Sequence, residues 1–410
     1  MSQSRFLTPG LCATAALAAA VYVAPLFLPA SVGAQSTVVD LPRVPLGDGP
    51  WVFDTAEQHR IKVSVVTRAL QRPFGLAFLP DGTILVTERP GRLRVVRNGV
   101  LEPQPVAGLP AIYARANAGL FDVIPHPRYV QNHLLYFAYA KAGENGDSAT
   151  ALGRGTFDGA TLTNVQELYA TEMGKSVGGT RLVFGPDGTI FLTTPAAVVE
   201  PAPGWTLAQD TMSAHGKVLR LKDDGTTPPD NPFVGKAGYR PEIYSVGHRD
   251  HLGLFWHPSG VLLNAEHGPN GGDEVNIIRS GKNYGWPISS FGRQYPGRRV
   301  SELPWKEGIE LPQILWVPSI GPSGLMVYSG DRFPQWKGNL FVGSAQYGEV
   351  RGTGHLQRVV LNAQLEDVRR ERLLDDLHQR VRDVREAPDG TIYVLTDQEV
   401  GALLHIEPAP

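Results

Sequence analysis

The stretch PFGLAFLPDGTILVT, residues 73–87, has two apolar-alternating segments on either side of a Pro-Asp-Gly turn. This pattern is typical of a β-hairpin, because alternation gives each strand one buried face and the turn residues reverse the chain. The pattern recurs along the chain, which indicates a repeat architecture. Its other copies, two of them looser, are GLFDVIPHPRYVQNHLLYFAY (119–139), GTRLVFGPDGTIFLTT (179–194), HLGLFWHPSGVLLNAE (251–266), SGLMVYSGDRFPQWKGNLFVGS (323–344) and RDVREAPDGTIYVLT (382–396).

Six widely spaced hairpins fit the blades of a propeller better than the short units of a solenoid. A third strand follows some copies, as in GRLRVVRNG (91–99) and GALLHIEP (401–408). We therefore predict an all-β protein, a single six-bladed β-propeller over residues 63–410 preceded by a lead-in over 35–62. Two β-sandwich domains are the alternative, but no linker-like change of composition divides the chain.

Composition agrees with a turn-rich β protein, since the 410 residues include 46 Gly and 34 Pro but only 19% charged residues. The net charge of −2 gives no basic field that would attract nucleic acid or an anionic membrane. We therefore expect no nucleic-acid partner.

The N-terminus has the features of a signal peptide over residues 1–34. Arg5 precedes a long apolar run, and the small residues Val32 and Ala34 suit positions −3 and −1 of a cleavage site. An uncleaved anchor is the alternative, but two prolines interrupt the run. Cleavage would leave no stable membrane span and would remove Cys12, the only cysteine. A periplasmic or secreted protein without thiol chemistry is predicted.

The segment EHGPNGGDEVNIIRSGKNYGWP, residues 266–287, combines glycines and prolines with the paired acids Asp273 and Glu274. Carboxylates and exposed backbone carbonyls are ligands that Ca²⁺ prefers. The same residues also suit a tight connection between strands in which the carboxylates cap a turn. From the residues alone, both interpretations stay open.

Residues 244–287 together resemble the soluble PQQ-dependent glucose/sorbosone dehydrogenases, which include the bacterial aldose sugar dehydrogenases. The similarity runs from about residue 63 to 407, and GHR followed by EHGPxGGDE is its most specific part. It implies a six-bladed propeller that binds pyrroloquinoline quinone (PQQ) and Ca²⁺ and oxidises CH–OH groups of aldoses or related polyols. An external electron acceptor is then required, and homodimer formation is left open.

The resemblance implies roles for individual residues. PQQ carries three carboxylates, which guanidinium groups bind well. Backbone carbonyls of the metal loop would hold the Ca²⁺ that contacts the quinone, and two other residues match ligands of a second, structural Ca²⁺. The implied residues are Arg249, Asp250, Gln346, Arg380 and Arg382 for the cofactor, Asn117 for the substrate, Gly268 and Pro269 for the first Ca²⁺, and Glu274 and Tyr284 for the second.

The sequence departs from the family on the catalytic side. The family has a general-base His in a pattern like HFGGRLVF, where this chain has SVGGTRLVF with Val177 or Gly178 in its place. The acid that orients the His is replaced by Pro195 and Ala196. We consider His267 and Asp250 as substitute bases.

The cofactor side also differs, since Asp250 stands where the family has Asn and Gln346 where some members have Lys. His248 and His251 flank the expected quinone face and are further candidates for the base. A propeller that binds a carbohydrate or another carboxylated ligand without catalysis and a Ca²⁺-dependent lactonase-type hydrolase remain alternatives.

Overall fold

The computed structural model describes residues 41–58, 60–174, 178–196, 207–295 and 297–410. The predicted signal peptide, residues 1–34, and Val177 lie outside the described residues. No helix among these residues has the length and apolar composition needed to cross a lipid bilayer.

The described strands form six antiparallel sheets. Two N-terminal strands, β1 (Trp51–Asp54) and β2 (Arg60–Leu70), belong to the last sheet. The first three blades are β3 (Pro73–Phe78), β4 (Ile84–Glu88), β5 (Arg92–Arg97) and β6 (Val100–Leu101); β7 (Leu120–Pro125), β8 (Leu134–Ala142), β9 (Ser148–Phe157) and β10 (Leu162–Ala170); and β11 (Leu182–Phe184), β12 (Ile190–Thr194), β13 (Lys217–Leu221) and β14 (Ile243–Val246).

The remaining blades complete the set. They are β15 (Asp250–Trp256), β16 (Leu262–His267), β17 (Asp273–Ile278) and β18 (Ile314–Trp316); β19 (Pro322–Val327), β20 (Leu340–Ser344), β21 (His355–Leu361) and β22 (Asp367–Leu373); and β23 (Val381–Glu386), β24 (Ile392–Thr396) and β25 (Gly401–Pro408), which β2 and β1 extend. Short helical turns are α1 (Tyr129–Asn132) and the 3-10 turns Glu144–Gly146, Pro334–Trp336 and Asp375–Leu377.

The blades form a closed ring. The first strand of each blade contacts the first strand of the next, in the order β3, β7, β11, β15, β19 and β23, and β23 returns to β3. Pairing of β2 with β25 joins the N-terminal part of the chain to its C-terminal strand. The prediction of an all-β, six-bladed propeller is confirmed. Its sheets begin before residue 63, since β1 and β2 start within the predicted lead-in.

A buried ion cluster joins three of the innermost strands. The guanidinium of Arg181 lies 3.2 Å from a carboxylate oxygen of Asp383 and 3.6 Å from one of Asp122, and all three side chains are fully buried. Arg181 also lies over the ring of Phe74, 4.8 Å from its centroid. Because Asp122 lies in β7, Asp383 in β23 and Arg181 directly before β11, the cluster connects the innermost strands of three different blades.

One end of the ring collects the chain segments that carry the predicted site. In each antiparallel pair, the start of the innermost strand lies opposite the end of the next strand, as in Asp250 with His267 and Val381 with Thr396. Irregular register follows the start of β3, β7, β15, β19 and β23. Such bulges redirect side chains. We call this end of the ring the mouth.

Candidate active site

Two arginines meet a single acid at the mouth. Arg382 Nε donates to Asp397 Oδ2 over 3.1 Å, and Arg380 Nη2 donates to the same oxygen over 3.4 Å. Burial acts to raise the pKa of Asp397, but Arg382 and Arg380 outweigh it and lower the pKa to about 2. Asp397 therefore stays ionised and fixes both guanidinium groups in place.

Arg249 reaches the loop that resembles a metal site. Its Nη1 donates to the carbonyl oxygens of His267 over 3.1 Å and Gly268 over 3.2 Å. The guanidinium lies over the ring of Trp286 at 5.2 Å, and the backbone N–H of Arg249 donates to Glu266 Oε2 over 2.9 Å. The Gly268 carbonyl thus already faces a cation.

The loop after β16 is shaped by Gly268 and Asp273. A Cβ at residue 268 would lie 2.2 Å from the carbonyl oxygen of Gly271, so only glycine allows this approach. Asp273 Oδ1 accepts from the Gly268 N–H over 2.9 Å, and its Oδ2 accepts from Ile320 and Gly321 over 2.7 and 2.8 Å. Asp273 therefore orders the loop from within and ties it to the start of the next blade.

Glu274 lies directly opposite Glu266 on the adjacent strand. Asn276 Nδ2 donates to both acids, over 2.7 Å to Glu266 and 3.2 Å to Glu274. Burial and the facing Glu266 raise the pKa of Glu274 well above its ordinary value. A cation would relieve this repulsion, so the oxygen-rich pair suits a metal ion.

Tyr284 lies beside this pair, but its hydroxyl is engaged. It donates to the Ile277 carbonyl over 2.6 Å and accepts from the Arg279 N–H over 2.8 Å. The ring stacks on His248 at 4.6 Å. A metal ligand supplied by the phenol of Tyr284 would have to give up these contacts.

His248 and His251 are fully buried, and each has an internal partner. His248 Nδ1 lies 3.1 Å from Glu266 Oε1 and its Nε2 lies 2.8 Å from Ser245 Oγ, while His251 Nδ1 lies 3.1 Å from Asn264 Oδ1. Burial lowers the pKa of His251 to about 3. These contacts support the strands, and the complete burial gives neither ring an exposed face toward a substrate.

Asp250 occupies the region where the family's base is expected. Its Oδ1 accepts from the Gly179 N–H over 3.1 Å and would lie 2.6 Å from a Cβ at residue 178. Pro195 Cβ lies 3.4 Å from the same point. Burial raises the pKa of Asp250, and Arg249 and other arginines of the mouth oppose the rise. A carboxylate therefore stands among residues that cannot themselves move protons.

His267 is held in a neutral state at the end of β16. Its Nε2 lies 2.6 Å from the carbonyl oxygen of Pro322, which can only accept, so Nε2 carries the proton. Burial, Arg249 and Arg382 lower the pKa of His267 to about 3. This imidazole resists protonation, which is unfavourable for a general base.

Sequence reasoning missed Arg89, which lies next to Asn117. Arg89 Nη2 donates to the Ala116 carbonyl over 2.8 Å and lies 3.4 Å from Asn117 Oδ1. Burial, Arg382 and Arg72 lower the pKa of Arg89 to about 10. Arg89 therefore adds to the positive charge that surrounds Arg382. No motif marked it, although it directly follows a predicted strand.

Sequence reasoning also missed Glu349. Its side chain is hydrogen-bonded to Gln346. Gln346 Nε2 donates to Glu349 Oε2 over 3.0 Å, and Glu349 has a φ of 64°, a backbone conformation that non-glycine residues seldom adopt. Burial raises the pKa of Glu349, while Gln346 and Arg249 act to lower it. The residue at the family's lysine position thus holds a carboxylate near Arg249.

The fold and the site define a six-bladed propeller with several arginines at one mouth of its ring, one of which donates to a carbonyl oxygen of a glycine-rich loop. Residues 70–405 match the family model described as glucose/sorbosone dehydrogenase, and the chain belongs to this family of sugar dehydrogenases.

Named relatives agree with this assignment. Aldose sugar dehydrogenase YliI of Escherichia coli (strain K12) is 36% identical over 378 residues, which cover 90% of this chain and 97% of the relative. Quinoprotein glucose dehydrogenase B of Acinetobacter calcoaceticus is 28% identical, with 85% and 88% covered. The apo-form crystal structure of the soluble aldose sugar dehydrogenase from Escherichia coli has a TM-score of 0.79 at 35% identity and covers 85% of this chain and 100% of its own.

Proposed function

We propose that the protein is an exported, PQQ- and Ca²⁺-dependent dehydrogenase that oxidises a CH–OH group of an aldose or related polyol. The observation that carries this proposal is the hydrogen bond of Arg249 to the Gly268 carbonyl, next to His267, on which the charges of Arg249, Arg380 and Arg382 all act. The same arrangement would give a trianionic quinone and a divalent cation adjacent sites. Family membership supports the sugar substrate, and the names of two relatives support quinone chemistry and aldose oxidation.

The charges of the mouth fit PQQ together with Ca²⁺. The arginines 89, 249, 380 and 382 face the acids Asp250, Glu349 and Asp397, which leaves one net positive charge among these seven side chains. A ligand with three carboxylates and one Ca²⁺ would bring the same set to neutrality. Arg380 and Arg382 would hold carboxylates, and Arg249 would contact the quinone ring or a carboxylate.

The donor set of the loop also fits Ca²⁺. The Gly268 carbonyl already accepts from a guanidinium, and Pro269 follows it with a second backbone oxygen. Oxygen donors of this kind are those Ca²⁺ prefers. The facing acids Glu266 and Glu274 offer carboxylate oxygens for a second, structural ion, to which Tyr284 would contribute only after its phenol leaves Ile277 and Arg279.

PQQ, when bound, would supply the two-electron oxidant. Asp250 is then the group best suited to take the proton of the substrate hydroxyl, because burial raises its pKa while that of His267 falls to about 3. Asn117, held beside Arg89, would hydrogen-bond another substrate hydroxyl. The guanidinium of Arg249 would favour negative charge that develops on a quinone oxygen beside it.

A second candidate is a propeller that binds a sugar or carboxylated ligand without oxidising it. The observation in its favour is that Val177 or Gly178 stands where the family has its His, and Pro195 and Ala196 stand where it has the orienting acid. If Asp250 does not act as a base, the arginines and the loop would still bind ligand.

Titration of the purified protein with PQQ and Ca²⁺ tests the proposal. We expect saturable binding with one PQQ per chain, followed by loss of the quinone absorbance when an aldose is added. Binding without reduction by any aldose would identify the binding protein instead. No PQQ binding in the presence of Ca²⁺ would refute the quinoprotein assignment.

A further inference from the structure

A cavity of about 750 Å³ opens beside Arg380, between the N-terminal segment and the last two blades. This volume is in the range of small-molecule sites. Its charged lining includes Arg43, Arg68, Arg351 and Arg380, with Glu399 as the acid among the lining residues.

The N-terminal segment forms one wall of this cavity. The Leu41 N–H donates to the Arg351 carbonyl over 3.1 Å, and Gln379 Nε2 donates to the Val44 carbonyl over 2.9 Å. Arg68 Nη1 donates to the Leu46 carbonyl over 2.9 Å. These bonds hold residues 41–46 against the last two blades. The N-terminal segment and the blade loops together therefore enclose the cavity.

The cavity is positively charged although the whole chain has a net charge of −2. Arg68 has an exposed partner, Asp48, at 3.3 Å, and Arg380 lies 3.4 Å from Asp397. These acids offset part of the charge, but among the lining residues themselves four arginines exceed the one glutamate, and this excess favours anions. An anion of small-molecule size is therefore the matching ligand.

Arg380 belongs to both the cavity and the arginine group of the mouth. Its guanidinium shares Asp397 Oδ2 with Arg382, but Arg382, Arg249 and Gly268 are not among the residues that line the cavity. The cavity therefore borders the expected quinone site at Arg380 and extends to one side of it.

We propose that this cavity binds a small anionic electron acceptor, an inference that rests on the proposed function. Oxidation of an aldose CH–OH to the lactone C=O releases two electrons and two protons. Each turnover therefore reduces two one-electron acceptor ions, and the two protons pass to solvent. The arginines attract the oxidised anion to a cavity that Arg380 borders.

The first test uses the ligand-free protein and hexacyanocobaltate(III), a trianion that is redox-inert under the assay conditions. We expect saturable binding by calorimetry and at least a 10-fold weaker affinity in R43Q/R351Q. The matched control R128Q/R332Q removes two arginines from turns at the opposite end of the blades and should bind within 2-fold of the wild type. Equal affinity in R43Q/R351Q and the wild type would overturn the proposal.

The second test uses the enzyme loaded with PQQ and Ca²⁺. R43Q/R351Q should raise the KM for hexacyanoferrate(III) about 10-fold and leave the KM for hexaammineruthenium(III), a cation, and for the aldose within 2-fold. A parallel loss of PQQ affinity would assign the cavity to the cofactor and refute the acceptor site. If the protein binds the anion but not PQQ, the cavity is an anion site. Both its role as an acceptor site and the proposed function would then be wrong.

Discussion

The guanidinium of Arg249 donates a 3.2 Å hydrogen bond to the carbonyl oxygen of Gly268. The same oxygen would bind Ca²⁺ in the proposed site, so the side chain and the metal ion compete for one acceptor. Arg249 must therefore turn away when Ca²⁺ binds, and a quinone carbonyl or carboxylate would give it a new partner. Metal and quinone binding are expected to favour each other for this reason.

Arg249→Met should strengthen Ca²⁺ binding to the protein in the absence of PQQ. Hydrogen bonds to charged groups contribute about 1.5–3 kcal/mol, which corresponds to about 10–100-fold in affinity. Calorimetric titration with Ca²⁺ measures the change. R382M is the control, because it removes a similar charge from the mouth without touching Gly268. An equal gain of Ca²⁺ affinity in R249M and R382M would mean that any arginine of the mouth repels the ion. That result would contradict direct competition for the Gly268 carbonyl.

Asp250→Asn should lower kcat by about 10²–10⁴-fold, the usual contribution of a general base. The amide keeps the acceptor for the Gly179 N–H and matches the residue of the family, so PQQ affinity should be retained or increased. H267Q, whose amide nitrogen reaches about as far as Nε2 and can still donate to the Pro322 carbonyl, should change kcat far less. Steady-state kinetics at saturating PQQ compare the two variants, and the opposite ranking would make His267 the base.

The pH dependence of kcat gives an independent test of Asp250. The carboxylate accepts a proton only when ionised, and burial raises its pKa above the ordinary value of 3.8. In the wild type, kcat should therefore rise with pH through this raised pKa. The rise should be missing in D250N but present in H267Q. If kcat of D250N rises with pH in the acidic range as it does in the wild type, Asp250 is not the group whose ionisation controls kcat.

The fold could be predicted because its signal is local and repeated. Each of the six quoted hairpins overlaps the first two strands of one blade, with ends that differ by three residues at most, and GALLHIEP coincides with β25. The extension of the last blade by β1 and β2 could not be predicted in the same way. Their pairing with β25 joins residues at opposite ends of the sequence, and neither strand carries the repeated turn.

The site was predictable where residues belong to a motif. Arg249, Asp250, His267 and Gly268 come together because β15 and β16 are neighbours in the same blade. Arg89 and Glu349 have no such marker, since arginines and glutamates are common on loops. Their importance depends on burial and on neighbours from other blades, which only the three-dimensional arrangement supplies. The roles of the predicted ligands and catalytic residues stay predictions.

Acid should destabilise the protein through Asp397. Its pKa is about 2 when folded and near 3.8 when unfolded, so the carboxylate stabilises the folded state above pH 3.8. This stabilisation, about 2 kcal/mol, is lost as the pH falls toward 2. Urea denaturation between pH 5 and pH 2.5 should show a steeper loss in the wild type than in D397N. D376N, a change at an exposed acid, should keep the wild-type slope; equal slopes in the wild type and D397N would contradict this account.

Arg181→Met should destabilise the protein by about 3–5 kcal/mol at pH 7, because it leaves Asp122 and Asp383 buried without their cation. The loss should be smaller at pH 5, since protonation then removes the unpaired charge of Asp122, whose pKa burial already raises. Adding D122N and D383N to R181M should recover part of the stability for the same reason. Urea denaturation at both pH values provides the measurement, with R97M on β5 as a partly exposed control. A cost below 1 kcal/mol in R181M would show that the cluster does not hold the blades together.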